Sequence, residues 1–295
     1  MRAMGIDIGG TRVKAAIVET ATGEPTWRWT SHAYAKPTAA ELEALILAAR
    51  HAAPASPETV GLCVPGVVDP ATGVVARCVN IPGLEGADPA SLVRAVLRDN
   101  GATPVTLWTD AYAAGVDVRL TEGLEGRLLA ISLGTGVGAA VIDEPCRQLV
   151  LHGRSSGHFG QMDVSLSDDA PLGPDGGRGS LEAYIGGAAL MRRWGDPATI
   201  AASLDARSEP VRALARAIRI AHAIYKPDHV RLLGGVGLAL ARLGGGWRDL
   251  VARDLTCVAR PNWSLGYARH EHHAAAGAAR LSGGVVPSVP GRPSD

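Results

Sequence analysis

The chain has 295 residues, of which 46% are hydrophobic, and its 29 basic and 29 acidic side chains leave a formal net charge of +0. A neutral balance without any Lys/Arg-rich block lacks the electrostatic footprint of a nucleic-acid binder, and no apolar run reaches the about 18 residues that a membrane span needs. The length predicts two lobes of roughly 100 to 150 residues each. Cys63, Cys78, Cys146 and Cys257 are too scattered for a disulfide framework or a CxxC metal knuckle, which fits reduced thiols in a cytoplasmic protein.

The first predicted element is a hairpin. Ala3 to Glu19 reads AMGIDIGGTRVKAAIVE: two short apolar strands around a Gly/Thr turn, with the glycines expected where positive φ is needed. Asp7 lies inside the first strand, which excludes the apolar core of a signal peptide. Gly9, Gly10 and Thr11 leave backbone N–H groups unobstructed, as a phosphate-binding turn requires, and Asp7 is placed to hold Mg²⁺ through water. The plainer alternative is a simple hairpin turn.

A helix is expected over Thr38 to Ala53, a strand over Thr59 to Val64, a second helix over Pro89 to Arg98 and a strand over Pro104 to Trp108. Alternation of this kind predicts an α/β fold. Asp110 follows the last of these strands as a helix begins. It suits a helix N-cap, and it equally suits a general base that takes a hydroxyl proton during phosphoryl transfer.

Leu128 to Asp143, LLAISLGTGVGAAVID, repeats the opening hairpin, so the same unit occurs about once per lobe. Gly134, Gly136 and Ala139 satisfy the dinucleotide pattern GxGxxA, but that motif requires a helix directly after the turn, whereas Val137 to Ile142 reads as a strand. A phosphate-binding hairpin is therefore preferred over a nicotinamide site. Beyond Glu182 the chain turns mostly helical, with a clear 3.6-residue period over Pro210 to Tyr225. The strand His229 to Leu233 meets Gly234 and Gly235, and an Ala-rich helix near His273 to Leu281 closes the fold. The run Arg269-His270-Glu271-His272-His273 reads as a solvated or interface cluster rather than a metal site.

Taken together, DIGGTRVK, CVPGVVDPATGVV, TDAYAAG, SLGTGVG, SGHFGQMDV, GSLEAYIGG and LLGGVG resemble, in order and spacing, the ROK sugar kinases of the actin/hexokinase-like ATPases, over residues 3 to 281. The resemblance implies two ribonuclease-H-like lobes around a cleft, Mg-ATP as donor, a sugar-like acceptor and a homodimer. It implies a small lobe at 1–111 joined by the C-terminal helix 271–283, a larger lobe at 112–270 and a flexible tail at 284–295. By position, Asp7, Gly9, Gly10, Thr11 and Lys14 match the first phosphate loop, Gly134, Thr135 and Gly136 the second, and Gly234 and Gly235 the adenosine motif. Asp110 matches the catalytic aspartate, and Pro65, Gly66, Asn80, Thr109, His158, Gln161 and Glu182 the sugar pocket.

The departures bear on specificity. Thr109 stands where the family usually has Asn, and His158 and Gln161 stand where it has Glu and His. The three cysteines of the family's zinc motif are replaced within Gly173 to Ser180, so no structural zinc is expected. A buried hydrogen-bonding pocket rejects ligands that leave its groups unpaired, so a modified hexose, amino sugar or cyclitol competes with glucose as acceptor. The rival class is a sugar-responsive regulator without turnover. ROK repressors place a DNA-binding domain before the first phosphate loop, for which Asp7 leaves no room, and the retained Asp110 also favours an enzyme.

Overall fold

The computed structural model describes residues 1–286 apart from 70, 98–101, 152, 175, 244–245 and 260–261. The expected tail thus lies mostly outside the described residues.

The first part of the chain forms β1 (Arg2–Ile8), β2 (Val13–Glu19), β3 (Pro25–Thr30), α1 (Ala39–Ala52), β4 (Thr59–Cys63), the short pair β5 (Val67–Val68) and β6 (Val75–Arg77), α2 (Pro89–Leu97) and β7 (Val105–Trp108). Helix α3 (Asp110–Glu122) leads into β8 (Leu128–Leu133), β9 (Val137–Asp143) and β10 (Arg147–Gln148). The helices α4 (Leu181–Ile185), α5 (Gly187–Trp194), α6 (Pro197–Ser203) and α7 (Glu209–Tyr225) follow, then β11 (His229–Leu233), α8 (Gly234–Leu240), α9 (Gly246–Ala252), β12 (Ser264–Tyr267) and α10 (His273–Ser282).

Two five-stranded sheets share one plan. The first runs β3-β2-β1-β4-β7 and the second β10-β9-β8-β11-β12. In each, three antiparallel strands are followed by two that run parallel to the central one. Both predicted hairpins form, with Ile8 opposite Val13 in one and Leu133 opposite Val137 in the other. The duplicated ribonuclease-H-like architecture expected from the sequence is present.

Each sheet has its own apolar core: Ile6, Ile17, Leu42, Ile46 and Leu62 in the first, and Ile131, Leu181, Leu214, Ile218 and Trp247 in the second. A third core joins them, where Ala111 and Ala114 of α3 meet Ala274 and Ala278 of α10 beside Leu128 and Ile142. The Ala-rich composition of α10 has a direct cause here. A methyl group on Gly277 would overlap the Ala113 carbonyl, so the two helices cross backbone to backbone and only the smallest side chains fit.

Candidate active site

The site is assembled from the carboxyl ends of strands, where open α/β sheets hold their ligands. In the first sheet the register aligns Asp7 with Cys63 and Cys63 with Trp108, so β1, β4 and β7 end in one row and the chain turns directly into Thr109 and Asp110. Asp7 is buried, and its carboxylate makes no hydrogen bond among the described residues. Burial pushes its pKa from 3.8 up to about 6, the Lys14 ammonium opposes the rise, and the negative charge of Asp110 adds to it. A buried carboxylate near a second one is an electrostatic deficit that a hydrated divalent cation would relieve, so Asp7 fits Mg²⁺. Lys14, opposite Asp7 on β2, pairs with Glu271 at 3.6 Å.

The two glycine turns face each other. Thr11 Oγ1 lies 3.0 Å from Thr135 Oγ1, and a methyl on Gly10 would stand 2.8 Å from the same Thr135 oxygen. The expectation that these turn glycines supply positive φ is corrected: Gly9, Gly10, Gly134 and Gly136 are absent from the left-handed residues. Their smallness serves close approach instead. Gly10 admits Thr135, Gly136 admits Glu182, and the Cβ side of Gly134 is open, with nothing within 4 Å. Gly234 does need its glycine conformation, at φ +79, and it abuts the Leu133 carbonyl. The third glycine site therefore joins the second, with the Cβ side of Gly235 also open. The dinucleotide reading of Gly134 to Ala139 fails because β9 follows the turn.

Two groups that the sequence reading did not single out shape these turns. The Tyr34 hydroxyl donates to the Gly9 carbonyl at 2.5 Å, and burial, then the charge of Asp7, raises its pKa. The Gly187 and Ala188 N–H groups, at the start of α5, donate to the Gly134 and Thr135 carbonyls at 2.8 and 3.0 Å. Neither was legible from local pattern, because each reaches a turn far away in the chain.

Asp110 opens α3, but its carboxylate does not cap it. The N-cap is Thr109, and no side-chain capping bond is made. The Asp110 carboxylate instead accepts one hydrogen bond, from Ser132 Oγ to Oδ2 at 3.1 Å. With one bond across two oxygens it keeps acceptor capacity, as a base must.

Around the second turn the acceptor-side candidates separate into groups. Glu182 accepts the Val137 N–H at 2.7 Å, and a methyl on Gly136 would lie 2.7 Å from Glu182 Oε2 and 3.2 Å from Asn80 Nδ2. Asn80 and Glu182 thus converge on one spot from the two lobes. Gly160 comes within contact of Glu182 as well. His158 and Gln161 flank it, both exposed, with the Gln161 N–H donating to the His158 carbonyl at 2.9 Å. Gly66 sits at φ +94 against the Arg77 backbone, so Pro65-Gly66 braces the segment that carries Asn80.

The sequence model of the ROK family matches residues 3–283. The chain belongs to the ROK family. A kanosamine kinase of Amycolatopsis mediterranei is 26% identical, over 96% of this chain and 98% of the relative. A ROK family glucokinase from Streptomyces griseus, solved with glucose and AMPPNP, superposes with a TM-score of 0.75 at 22% identity, covering 96% and 99% of the two chains. A ROK family transcriptional regulator, a homologue of the Escherichia coli MLC protein, has a TM-score of 0.72 at 16% identity, covering 97% of this chain and 78% of its own. The two-lobed actin/hexokinase-like fold is therefore shared by kinases and a regulator, and function has to be argued from the site.

The zinc site that the ROK resemblance implies does not fit this chain. Its segment closes as a hairpin instead: Val164 N–H donates to the Gly179 carbonyl at 3.0 Å, Gly179 N–H to Pro171 at 2.9 Å, and Arg178 Nη1 to the Ala170 carbonyl at 2.7 Å. Gly173, Asp175 and Ser180 stand at the three cysteine positions, so no thiolate is present, and Ser180 Oγ instead accepts the Ala183 N–H at 3.2 Å. Of the histidine run, expected as a solvated or interface cluster, His273 is not solvated. His273 is buried; its Nδ1 lies 2.6 Å from Asp117 Oδ2, and Nε2 accepts the Arg269 N–H at 3.1 Å. His270 stacks on it at 3.9 Å with 21° between planes. Burial, then the neighbouring His273 and Arg28, lowers the His270 pKa to about 4. Asp117, His270 and His273 are close enough to hold a metal, yet both ring nitrogens of His273 are already engaged, and Arg280 Nε donates to Asp117 at 2.8 Å. The cluster is a clasp between α3 and α10.

Proposed function

We propose that the protein transfers the γ-phosphoryl group of ATP to a hydroxyl of a hexose, a modified hexose or a sugar-like cyclitol, at the primary, O6-equivalent position. It is an ATP-dependent carbohydrate kinase. The observation that supports this reading is Asp110, a carboxylate with spare acceptor capacity that accepts from Ser132, just before the second glycine turn, and whose charge acts on Asp7, just before the first.

Asp110 orients the acceptor hydroxyl and takes its proton as the oxygen attacks the terminal phosphorus and ADP leaves. Gly10, Thr11, Thr135 and Gly136 hold the phosphates through backbone N–H groups and the two threonine hydroxyls, while Gly9 and Gly134 close the turns by donating their N–H groups to the Arg12 and Gly136 carbonyls at 3.0 Å. Gly234 and Gly235 accept the adenosine side, where Gly235 leaves open space. Asp7 would hold Mg²⁺ through water, and the cation when bound neutralises phosphate charge. Glu182, Asn80, Thr109 and His158 select the ring, with Gln161 at the rim. The amino sugar in the name of the Amycolatopsis relative, together with the altered Thr109, His158 and Gln161, supports an acceptor other than plain glucose. By the same resemblance the working form is a cytoplasmic homodimer; no described helix is long and apolar enough to cross a membrane.

Incubation with Mg-ATP and a panel of hexoses, amino hexoses and cyclitols, with ADP release and product mass followed, tests the reading. Acceptor-dependent ADP and a monophosphate product are expected. A protein that binds a sugar yet releases no acceptor-stimulated ADP with any member belongs with the regulators instead.

A further inference from the structure

Ser132 lies on β8, the central strand of the second sheet, and is held on both sides: it is opposite Gly138 on β9 and beside Leu233 on β11. Few positions in a sheet are more rigid than a doubly paired residue on its central strand. Its hydroxyl reaches Asp110 Oδ2 at 3.1 Å. An ionised carboxylate only accepts, so the hydroxyl is the donor. Opposite it, Gly138 leaves room: a methyl there would stand 3.5 Å from Asp110 Oδ1 and 3.7 Å from Ala111 Cβ. One carboxylate oxygen is thus tethered, and the other borders a space that a side chain on residue 138 would fill.

The backbone of Asp110 is fixed by the start of α3, where the Ala113 N–H donates to the Thr109 carbonyl at 3.0 Å. That bond sets the position of Cα and leaves the side-chain torsions free. Among the described residues, Ser132 supplies the hydrogen bond that fixes them. A base must meet the acceptor hydroxyl within hydrogen-bond reach, and small misplacements are costly.

We infer that Ser132 is the positioning residue of the reaction: it pins Oδ2 of Asp110 so that Oδ1, beside Gly138, is the atom that receives the acceptor proton. This rests on the assignment of Asp110 as base. The specific consequence is a loss in turnover without a loss in binding, since the hydrogen bond that the Ser132 hydroxyl donates goes to the base.

The test compares Ser132→Ala, Ser132→Thr, Asp110→Asn and the Ser132→Ala/Asp110→Asn double variant. A hydrogen bond to a charged group is worth about a 10- to 100-fold effect, so Ser132→Ala should lower kcat by about that factor. Acceptor KM, ATP affinity and the thermal midpoint should stay near those of the parent, and Ser132→Thr, which keeps the hydroxyl, should recover most of the rate. In the Asp110→Asn background Ser132→Ala should cost nothing further, because groups acting as a unit are not additive. A Ser132→Ala enzyme with parental kcat overturns the inference, as does an equal loss in both backgrounds or a Thr variant as slow as Ala. An active Asp110→Asn protein overturns the base assignment and this inference with it. An inactive Asp110→Asn beside an unimpaired Ser132→Ala overturns the inference alone.

Discussion

Asp110 and Asp117 lie on the same helix, seven residues and about two turns apart, yet they have opposite fates. Asp110 is half-buried at the carboxyl ends of the first sheet's strands and accepts a single bond, from Ser132. Asp117, 1% exposed, is consumed by His273 on one oxygen and Arg280 on the other. The difference separates a carboxylate with acceptor capacity left over from one spent on architecture. Residue type and helix position do not distinguish them; unfilled acceptor capacity does.

The most decisive way to break this contrast is Asp110→Asn. Removal of a general base costs on the order of 10² to 10⁴ in rate, so kcat should fall into that range while ATP binding, read by calorimetry, is retained. A variant that keeps its turnover would make the two aspartates equivalent bystanders.

Asp117→Ala should do the reverse. Deleting one partner of a buried pair leaves the other uncompensated and costs about 3–5 kcal/mol, so the denaturant midpoint should drop sharply. Turnover per folded molecule should be close to that of the parent, because the clasp joins α3 to α10 and not to the acceptor. An unchanged midpoint would show that the His273–Asp117–Arg280 contacts contribute nothing net.

Asp7 supplies a pH test of intermediate size. Burial raises its folded pKa to about 6, above the 3.8 of an ordinary aspartate, so between those values the folded state binds more protons than the unfolded one. The stability of the free protein should therefore fall as pH rises from about 4 to about 6, by on the order of 3 kcal/mol. Asp7→Asn removes the penalty and should be the more stable protein at neutral pH, with the gap closing below about pH 4. Melting curves of both proteins across that range, without nucleotide, check the sign; a parent stabilised by rising pH through this window would contradict the buried, unrelieved carboxylate.

The smallest expected effect belongs to Glu182→Gln. The Val137 N–H keeps an acceptor, but a charge-assisted bond to the ring becomes neutral, and acceptor KM should rise about tenfold with ATP KM unchanged. Initial-rate kinetics with the best acceptor of the panel separate the two. A rise in ATP KM instead would move Glu182 from the ring to the phosphate side of the site.

Much of the frame was readable without coordinates. Both hairpins show as alternating apolar strands around Gly/Thr turns, and α7 shows as a periodic stripe ending at Lys226, because these patterns are local. The glycine turns were located correctly and explained wrongly. Gly10 and Gly136 are not left-handed and are small because Thr135 and Glu182 press on them from distant segments. The histidine run hid its interior member for the same reason: nothing between residues 269 and 273 reveals that His273 meets Asp117, already bound to Arg280, in the interior. Asp110 was visible as a candidate, but a cap and a base look alike until the carboxylate is seen to decline the cap.

The sequence by itself determined the duplicated hairpins, the alternation that makes an α/β protein and the ordered motifs that mark the ROK family, since each follows from short-range periodicity and turn chemistry. Only the tertiary structure decided which aspartate is free and which is spent, why each glycine is small, and that Ser132, Tyr34 and Gly187 belong to the site. Those properties are set by contacts between residues far apart in the chain, and the free energy that fixes a side chain comes from whatever packing brings next to it.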